Sequence, residues 1–191
     1  MAEEKKANKK FLKTFFKERK QVGALAPSSR FLVKKMCDKI DFTQAKNIVE
    51  LGPGTGVFTE ELLKRAPKDC RLFVIELNEA FYDFLKEKFN DPRIVLLRES
   101  ADNLDEILSN YNVTAVDAVL SSLPLAVIPD QIKKRIIIQS HDVLRPGGAF
   151  VQYQYSLNAK RLLEMKFNNL KLGFVAVNIP PAFVYHGVKE A

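Results

Sequence analysis

The apolar residues of this chain fall into short unbroken runs separated by longer stretches in which they recur at helical spacing. Five short runs are typical of buried parallel strands because they are mostly apolar: residues 47–51, 71–75, 94–97, 115–121 and 149–155, the last of which alternates apolar residues with Gln152 and Gln154. Stretches with a helical period precede or separate them: residues 30–39, 59–66, 79–89, 103–110 and 130–143. This alternation predicts an α/β domain built on a parallel sheet.

The carboxyl-terminal part of the chain departs from that alternation. Residues 145–148 (Arg-Pro-Gly-Gly) predict a tight reversal into the fifth strand, and residues 158–170 are expected to be a basic helix. Two closing strands, residues 174–179 and 182–188, are joined by Pro180 and Pro181 in a hairpin-like finish. We therefore expect a seven-stranded, mostly parallel sheet whose last strand is antiparallel.

The first predicted strand runs directly into a glycine-rich turn, Gly52-Pro53-Gly54-Thr55-Gly56, and a helix follows. Glycine tolerates positive φ and lets backbone N–H groups approach a ligand, while Pro53 stiffens the turn. Open α/β sheets hold nucleotide-like cofactors at such strand–turn–helix junctions. The spacing is GxGxG after the acidic Glu50, whereas a dinucleotide fingerprint would have its third glycine at position 57, which is Val57.

Acidic residues follow the next two predicted strands. Glu76 ends the second strand 24 residues after Gly52, close to the ~20-residue spacing of acids that bind ribose hydroxyls. A carboxylate can accept hydrogen bonds from two vicinal hydroxyls, which gives an acid at this position a chemical role. After the third strand, Asp102 is placed either to bind an adenine amino group, with Ala101 against the ring, or to cap the following helix.

These landmarks, in this order, resemble the class I S-adenosylmethionine-dependent methyltransferases. More closely, the chain resembles the bacterial phospholipid N-methyltransferases, small enzymes related to the ribosomal RNA adenine dimethylases. The matching segments are GALAPSSRFL (residues 23–32), VELGPGTGVFT (49–59), SSLPL (121–125) and NIPPAFVY (178–185), together with a basic N-terminal helix. The resemblance implies a three-layer, Rossmann-like fold with a single methyltransferase domain over residues 23–191.

The resemblance also implies a reaction. The methyl donor is S-adenosylmethionine, the product is S-adenosylhomocysteine, and the acceptor is the amine of a phospholipid such as phosphatidylethanolamine; some relatives methylate other aminolipids, such as ornithine lipids. The cofactor residues it implies are Ser28, Ser29, Glu50, Gly52, Pro53, Gly54, Thr55, Gly56, Glu76, Leu77, Ser100, Ala101, Asp102 and Ser121. One of the two serines, Ser28 or Ser29, is also expected to cap the helix that begins at Arg30.

No general base can be named from the sequence. The backbone carbonyls of Ser121, Ser122 and Leu123 are candidates to accept the amine hydrogens. Candidates for a proton relay are Tyr153, Tyr155, Tyr185 and His186. No metal is expected, because Cys37 and Cys70 share no metal-type spacing.

The loop after the fourth strand separates this chain from base methylases. Enzymes that act on exocyclic base nitrogens commonly have Asn/Asp-Leu/Pro-Pro-Tyr/Phe there, with the aromatic ring stacked on the flipped base. This chain has Ser122-Leu123-Pro124-Leu125, with neither carboxamide nor aromatic ring. A nucleic acid partner is therefore not expected. Methylation of RNA, a small molecule or a protein stays open, as does binding of the cofactor without turnover.

Basic residues are concentrated at the N-terminus. The chain has a net charge of +7, of which residues 1–20 carry +5 and residues 21–35 carry +3, leaving −1 for residues 36–191. Residues 5–20 lack Pro and Gly, and their large apolar side chains fall on one stripe. We predict a basic amphipathic helix within residues 1–22 that contacts anionic membrane lipids through Lys9, Lys10, Lys13, Lys17, Phe11, Phe15 and Phe16. The alternatives are that it docks on the protein's own core or binds RNA.

Chain length and hydropathy indicate where in the cell the protein is expected. The 191 residues suit one domain, and no apolar run approaches the ~20 residues that span a bilayer. The N-terminus also lacks the apolar segment of a secretory signal. We expect a cytoplasmic protein that is peripheral on the inner face of the cell membrane.

Overall fold

A computed structural model of the protein describes residues 28–190. The seven strands are β1 (Asn47–Leu51), β2 (Arg71–Ile75), β3 (Ile94–Leu97), β4 (Val116–Ser121), β5 (Leu144–Gln154), β6 (Lys171–Val175) and β7 (Ala182–Val188). They form one sheet in the order β3-β2-β1-β4-β5-β7-β6. Strands β1 to β5 are parallel, and β7 is antiparallel to both of its neighbours. The predicted seven-stranded, mostly parallel sheet is confirmed.

Within residues 28–190, six α-helices cover the two faces of the sheet: α1 (Arg30–Cys37), α2 (Val57–Arg65), α3 (Glu79–Lys88), α4 (Leu104–Asn110), α5 (Asp130–Asp142) and α6 (Lys160–Glu164). Buried residues of α1, α2 and α3 share one core cluster with the sheet, and those of α4, α5 and α6 share the other. Neighbouring positions of β1, Ile48 and Val49, belong to opposite clusters, and both are fully buried. A strand covered on both faces explains the unbroken apolar runs in the sequence.

The centre of the sheet is where the strand order reverses. β1 lies between β2 and β4, so the connections that leave β1 and β4 run in opposite directions and leave a crevice beyond the ends of these strands. We call the edge of the sheet at which β1 to β5 end the carboxyl edge. The glycine turn, Glu76 and the loop after β4 all lie on it.

The reversal predicted at residues 145–148 is wrong, because these residues lie inside β5. The five-residue step from Leu144 to Ala149 faces a two-residue step from Val116 to Ala118 in β4. Such extra residues form a bulge, which bends a strand without ending it. Gly147 takes φ +76° there and donates its N–H to the carbonyl of Lys189, 2.8 Å away.

Two other predicted boundaries are wrong. β6 covers Lys171–Val175 instead of residues 174–179, and α6 ends at Glu164 instead of at residue 170. Residues 176–181 form a loop around the buried Asn178, which accepts from the N–H of Ser29 and donates to the carbonyl of Pro180. The chain turns after α6 so that the Phe167 ring packs over Gly187, where a Cβ would stand only 2.5 Å from it.

The predicted basic helix of residues 1–22 lies outside the described residues. Its contact with anionic lipids therefore stays a prediction. Among residues 28–190, no helix combines the length and the apolar character needed to cross a bilayer.

Candidate functional site

Three glycines in the left-handed region shape the loop after β1. Gly52, Gly54 and Gly56 have φ values of +69°, +57° and +76°, as the sequence predicts. A Cβ on Gly52 would stand 2.8 Å from a methyl carbon of Leu123, and one on Gly56 would stand 2.5 Å from the Phe89 ring. These two glycines are therefore required both by φ and by close packing of the loop on the rest of the protein.

Gly54 faces open space. A Cβ built there meets nothing within 4 Å, and its backbone N–H donates to Oε2 of Glu76 at 3.2 Å. The tip of the glycine loop is thus held to the acid at the end of β2, with room beside it for a ligand.

Glu76 is buried, with 1% of its surface exposed. Its second oxygen, Oε1, accepts from the backbone N–H of Asn78 at 2.8 Å. Burial raises the pKa of Glu76 to about 7, although the backbone N–H groups of Asn78, Gly54 and Leu77 oppose the increase. Additional donors, such as the hydroxyls of a ribose, would stabilise the carboxylate form further.

Glu50 is the second buried carboxyl at this end of the sheet. It points toward α2, where the Thr59 hydroxyl donates to Oε2 at 2.7 Å, and its Oε1 has no partner among the described residues. Burial is the main reason that the pKa of Glu50 rises to about 8, and the nearby charge of Glu76 adds to it. A pKa of about 8 keeps the carboxyl mainly protonated at neutral pH, which avoids a buried charge. Contact of Glu50 with the cofactor stays a prediction.

Asp102 lies in a short 3₁₀ turn, Ala101–Asn103, before α4. Its carboxylate accepts from the hydroxyl of Ser100 and from Nη1 of Arg135, 3.3 Å away. The alternative that Asp102 caps the next helix is wrong, because α4 begins at Leu104 and has no side-chain cap. The Arg135 contact comes from α5, and no local sequence pattern indicated it.

A narrow crevice opens at the carboxyl edge. Its walls are formed by Gly52, Ile75, Glu76, Leu77, Glu99, Ser100, Ala101, Leu123, Ile128 and Ile136. The structure thus brings together five of the predicted cofactor residues and one predicted substrate-site residue, Leu123. Ile128 and Ile136 were not predicted, because their apolar spacing is also that of ordinary core residues.

Ser28 and Ser29 do not line this crevice. Ser29 caps α1 by accepting from the N–H of Leu32 at 3.3 Å, and its own N–H donates to Asn178 at 2.9 Å. The capping role predicted for this pair is therefore seen at Ser29. Contact of either serine with the cofactor stays a prediction.

The loop after β4 is held by hydrogen bonds from two neighbouring strands. The N–H of Ser122 donates to the carbonyl of Leu51, 2.9 Å away. Gln152 and Gln154 of β5 both donate their side-chain amide to the carbonyl of Leu123, at 3.0 and 2.7 Å. The sequence pattern of β5 showed glutamines alternating with apolar residues, but only the sheet places both beside Leu123.

The four candidate proton-relay residues have different surroundings. Tyr153 stacks on Phe58 at 5.9 Å and meets the partly exposed Tyr155 edge-on. Tyr185 is fully buried, and its hydroxyl donates to the carbonyl of Ser156 at 3.3 Å. His186 lies further along β7, away from the carboxyl edge; burial lowers its pKa, as do the charges of Lys39 and Lys171.

The model of the ribosomal RNA adenine dimethylase family matches residues 15–152. The chain belongs to this family. Family membership and fold together make it an S-adenosylmethionine-dependent methyltransferase, as the sequence predicted.

Two curated relatives differ in how much of their length they share with this chain. The chain is 32% identical to the ornithine lipid N-methyltransferase of Singulisphaera acidiphila, over 95% of this chain and 96% of that protein. It is 27% identical to the ribosomal RNA small subunit methyltransferase A of Mycoplasma capricolum, over 82% of this chain but only 58% of that protein.

The fold is also that of solved methyltransferases. The 16S rRNA N2 methyltransferase of T. thermophilus, solved in complex with AdoMet and guanosine, superposes with a TM-score of 0.65. The two sequences are 20% identical, and the match covers 87% of this chain and 44% of that one. At this identity the likeness concerns the fold.

The residues around the crevice fit S-adenosylmethionine. A Cβ on Gly54 would meet open space, and the buried carboxylate of Glu76 beside it is a suitable acceptor for ribose hydroxyls. The apolar side chains of Leu77, Ala101 and Ile136 offer walls for a flat purine. Each of these features is on the carboxyl edge, where open α/β sheets bind nucleotides.

Proposed function

We propose that this methyltransferase transfers methyl groups to the amine headgroup of a membrane lipid, such as phosphatidylethanolamine or an ornithine lipid. The observation that carries the proposal is the identity and burial of Leu125. Base methylases commonly place an aromatic ring at this position, and here the side chain is a leucine with 0% exposure, packed in the core. A flipped base would have no ring from this loop to stack on.

The similarity to the ornithine lipid N-methyltransferase supports a lipid substrate. It extends over 96% of that protein, so the two chains correspond over nearly their whole length. The match to the Mycoplasma capricolum enzyme covers only 58% of that protein. An RNA substrate remains the second candidate, because the family model and several relatives are described by ribosomal RNA methylation.

The surface of the carboxyl edge also supports a membrane substrate. Two loops there, residues 155–159 and 176–181, contain no charged residue, and we call them the edge loops. Their side chains Ile179, Val177 and Leu157 are 85%, 60% and 45% exposed. Exposed apolar side chains on the same edge of the sheet as the crevice are suited to the interface of a bilayer.

A cation lies beside the edge loops. The N–H of Ser29 donates to Asn178 in one of these loops, and the guanidinium of the next residue, Arg30, lies 5.0 Å from the centre of the Phe31 ring. An apolar surface flanked by a cation is complementary to a lipid headgroup region.

The chemistry requires a neutral amine. The cofactor supplies an electrophilic methyl group: the C–S bond breaks as the C–N bond forms, the electron pair stays on sulfur, and the amine loses one proton. The pKa of an alkylammonium is ~10, so at neutral pH its nitrogen is protonated and carries no lone pair. The protein's part is to favour the free amine by partial desolvation and to hold it in line, and the polar groups of the loop after β4 are our candidates for this role.

The proposal is tested by offering the full-length protein a labelled methyl donor with three acceptors: phosphatidylethanolamine vesicles, ornithine lipid vesicles, and 16S rRNA. We expect label in one or both lipids and none in the RNA. In parallel, the chain is expressed in a host that lacks methylated aminolipids, and extracted lipids are examined by mass spectrometry for +14 Da species. Label in RNA alone would refute the lipid assignment, and no label in any acceptor would favour a binding module without turnover.

A further inference from the structure

The glycine loop after β1 has a second anchor besides Glu76. The side-chain ammonium of Lys88, the last residue of α3, donates to the carbonyl oxygen of Thr55 at 2.8 Å. The preceding residue of the loop is Gly54, whose N–H donates to Glu76. Lys88 and Glu76 therefore hold neighbouring residues of the loop, and both belong to the segment that runs from the end of β2 to the end of α3.

The Lys88 side chain is itself held in place by three other groups. Its ammonium pairs with the carboxylate of Glu60 on α2 at 2.7 Å and lies 5.6 and 5.2 Å from the centres of the Phe84 and Phe89 rings. Only 28% of the side chain is exposed. An exposed lysine loses side-chain entropy when it forms a hydrogen bond, whereas the ion pair and the two cation–π contacts restrict Lys88 beforehand.

The end of α3 also packs against the loop at Gly56. A Cβ on this glycine would stand 2.5 Å from the Phe89 ring. The N–H of Gly56 donates to the carbonyl of Pro53 at 3.0 Å and closes a four-residue turn. The carbonyl of Thr55 and the N–H of Gly56 belong to one planar peptide group. The bond from Lys88 therefore also fixes the direction of the N–H that closes the turn.

The loop needs such anchors because its tip contains a glycine with open space around it. Gly54 has φ +57°, and a Cβ there would meet nothing within 4 Å. Glycine has more backbone conformations available than any other residue. Ordering it only when a ligand binds has an entropic cost, which a loop that is ordered in advance avoids.

We propose that Lys88 is a positioning residue for S-adenosylmethionine, which orders the tip of the glycine loop before the cofactor binds. Its effect reaches the crevice through Thr55 and Gly54, because Gly54 is bonded to Glu76 and Glu76 lines the crevice, whereas Lys88 does not. The proposal requires no contact between Lys88 and the cofactor. It concerns cofactor binding and does not depend on which acceptor receives the methyl group.

Two forms of the cofactor distinguish this role from a direct effect of charge. S-adenosylmethionine carries a positive sulfonium, which the product S-adenosylhomocysteine lacks. If the charge of Lys88 acted on the cofactor, its removal would favour the sulfonium form over the neutral one. A residue that orders the loop contributes equally to the affinity for both forms, because their nucleoside parts are identical.

The test measures Kd of the full-length protein for S-adenosylmethionine and for S-adenosylhomocysteine by isothermal calorimetry. Lys88→Met should raise both Kd values by the same factor, roughly threefold to tenfold, which corresponds to one hydrogen bond. Lys88→Arg should stay within about twofold of the wild type, because a guanidinium can donate to the same carbonyl. The matched control is Lys86→Met, which removes the same charge from an exposed position of α3 and should leave both values unchanged.

Two further measurements separate the bond to the loop from the ion pair. Glu60→Gln removes the charged partner of Lys88 and keeps the bond to Thr55, so Kd should stay within about twofold of the wild type. In the cofactor-free protein, the N–H of Gly56 should exchange its hydrogen faster in Lys88→Met than in the wild type or in Lys86→Met. Equal exchange in the three proteins would contradict the ordering of the loop by Lys88.

Circular dichroism checks that each variant is folded. Lys88→Gln, which also lacks the ammonium, replaces Lys88→Met if the latter does not fold, with the same expected rise in Kd. Unchanged Kd values, a rise for only one of the two cofactor forms, or an equal rise in Lys86→Met would overturn the assignment of Lys88. A wild-type protein that binds neither form would instead contradict the cofactor assignment, and this inference with it.

Discussion

The backbone N–H of Gly54 donates to Oε2 of Glu76 across 3.2 Å, although the two residues are 22 positions apart. The contact joins the glycine loop after β1 to the acid at the end of β2. It is possible because β1 and β2 are parallel neighbours in register, with Leu51 opposite Ile75. Both residues are thereby fixed at one side of the crevice before any ligand arrives, which lowers the entropic cost of binding.

Replacement of Glu76 should remove most of the affinity for S-adenosylmethionine. Glu76→Gln keeps the shape of the side chain but loses the charge that strengthens hydrogen bonds from hydroxyls. Such bonds contribute about 1.5–3 kcal/mol, so we expect Kd to rise roughly tenfold to a hundredfold. The measurement is isothermal calorimetry, with the exposed Glu87→Gln on α3 as a matched control. Unchanged affinity in Glu76→Gln would show that the cofactor binds elsewhere.

Two of the loop glycines, Gly54 and Gly56, should respond differently to alanine. Gly56→Ala places a Cβ 2.5 Å from the Phe89 ring at φ +76°, so strain and overpacking should cost about 2–4 kcal/mol of unfolding free energy. Gly54→Ala meets nothing within 4 Å and should cost only ~1 kcal/mol, but its methyl group fills the space beside the cofactor. Urea unfolding and cofactor titration of both variants check this. Equal stability of the two variants would contradict the packing described for Gly56.

The two buried carboxyls predict an unusual dependence of stability on pH. Burial raises the pKa of Glu50 to about 8 and that of Glu76 to about 7, above the value near 4.5 in the unfolded chain. Between these values the folded protein binds more protons than the unfolded one, so their contribution to stability is full below pH 4.5 and is lost as pH rises through 7 and 8. The ligand-free protein should therefore unfold at a lower temperature at pH 8.5 than at pH 6.

The variant Glu50→Gln measures how much of this pH dependence of stability comes from Glu50. The amide can still accept from the Thr59 hydroxyl but does not ionise. We expect the variant to lose less stability than the wild type between pH 6 and 8.5, with a difference on the order of 2 kcal/mol. Thermal unfolding followed by circular dichroism at several pH values is the measurement, and identical slopes for the two proteins would exclude a buried, titrating Glu50.

The N-terminal basic segment should bind anionic vesicles in a salt-dependent way. Deletion of residues 1–20 removes a net charge of +5, and each basic residue near an anionic leaflet is worth ~1 kcal/mol. We expect sedimentation with phosphatidylglycerol-containing vesicles to fall strongly in this variant and in the double variant Phe15→Ser with Phe16→Ser. If both variants sediment with the vesicles as the wild type does, the segment does not contact the membrane.

The edge loops should contribute a second, salt-insensitive part of membrane binding. Replacing Val177 and Ile179 by serine removes exposed apolar surface at the carboxyl edge, and apolar burial does not depend on screening. We expect less residual binding to phosphatidylcholine vesicles at 0.5 M salt, with little change in folding because both side chains are mostly exposed. Ile138→Ser, at an exposed position of α5, is the control. Equal residual binding in all proteins would show that the edge loops do not enter the interface.

The alternation of apolar runs and helical periods was sufficient to predict β1, β2, β3 and β7 with their observed boundaries. Strands buried on both faces leave an unbroken apolar run in the sequence, which is a strong local signal. The signal was misleading at residues 174–179. These residues are apolar enough for a strand. However, the buried side chain of Asn178 forms hydrogen bonds with the backbone of Ser29 and Pro180, and the chain forms a loop from residue 176 onward.

The sequence by itself determined the glycine turn, the acid at the end of β2 and the family of the fold, because each depends on backbone conformation and on residues close together in the chain. Only the tertiary structure decided what surrounds the loop after β4 and Asp102. It brought Gln152 and Gln154 to the carbonyl of Leu123 and Arg135 to Asp102. These pairs come from separate elements, and their contacts exist only once the sheet register and the packing of α5 are formed, so no local pattern carries them.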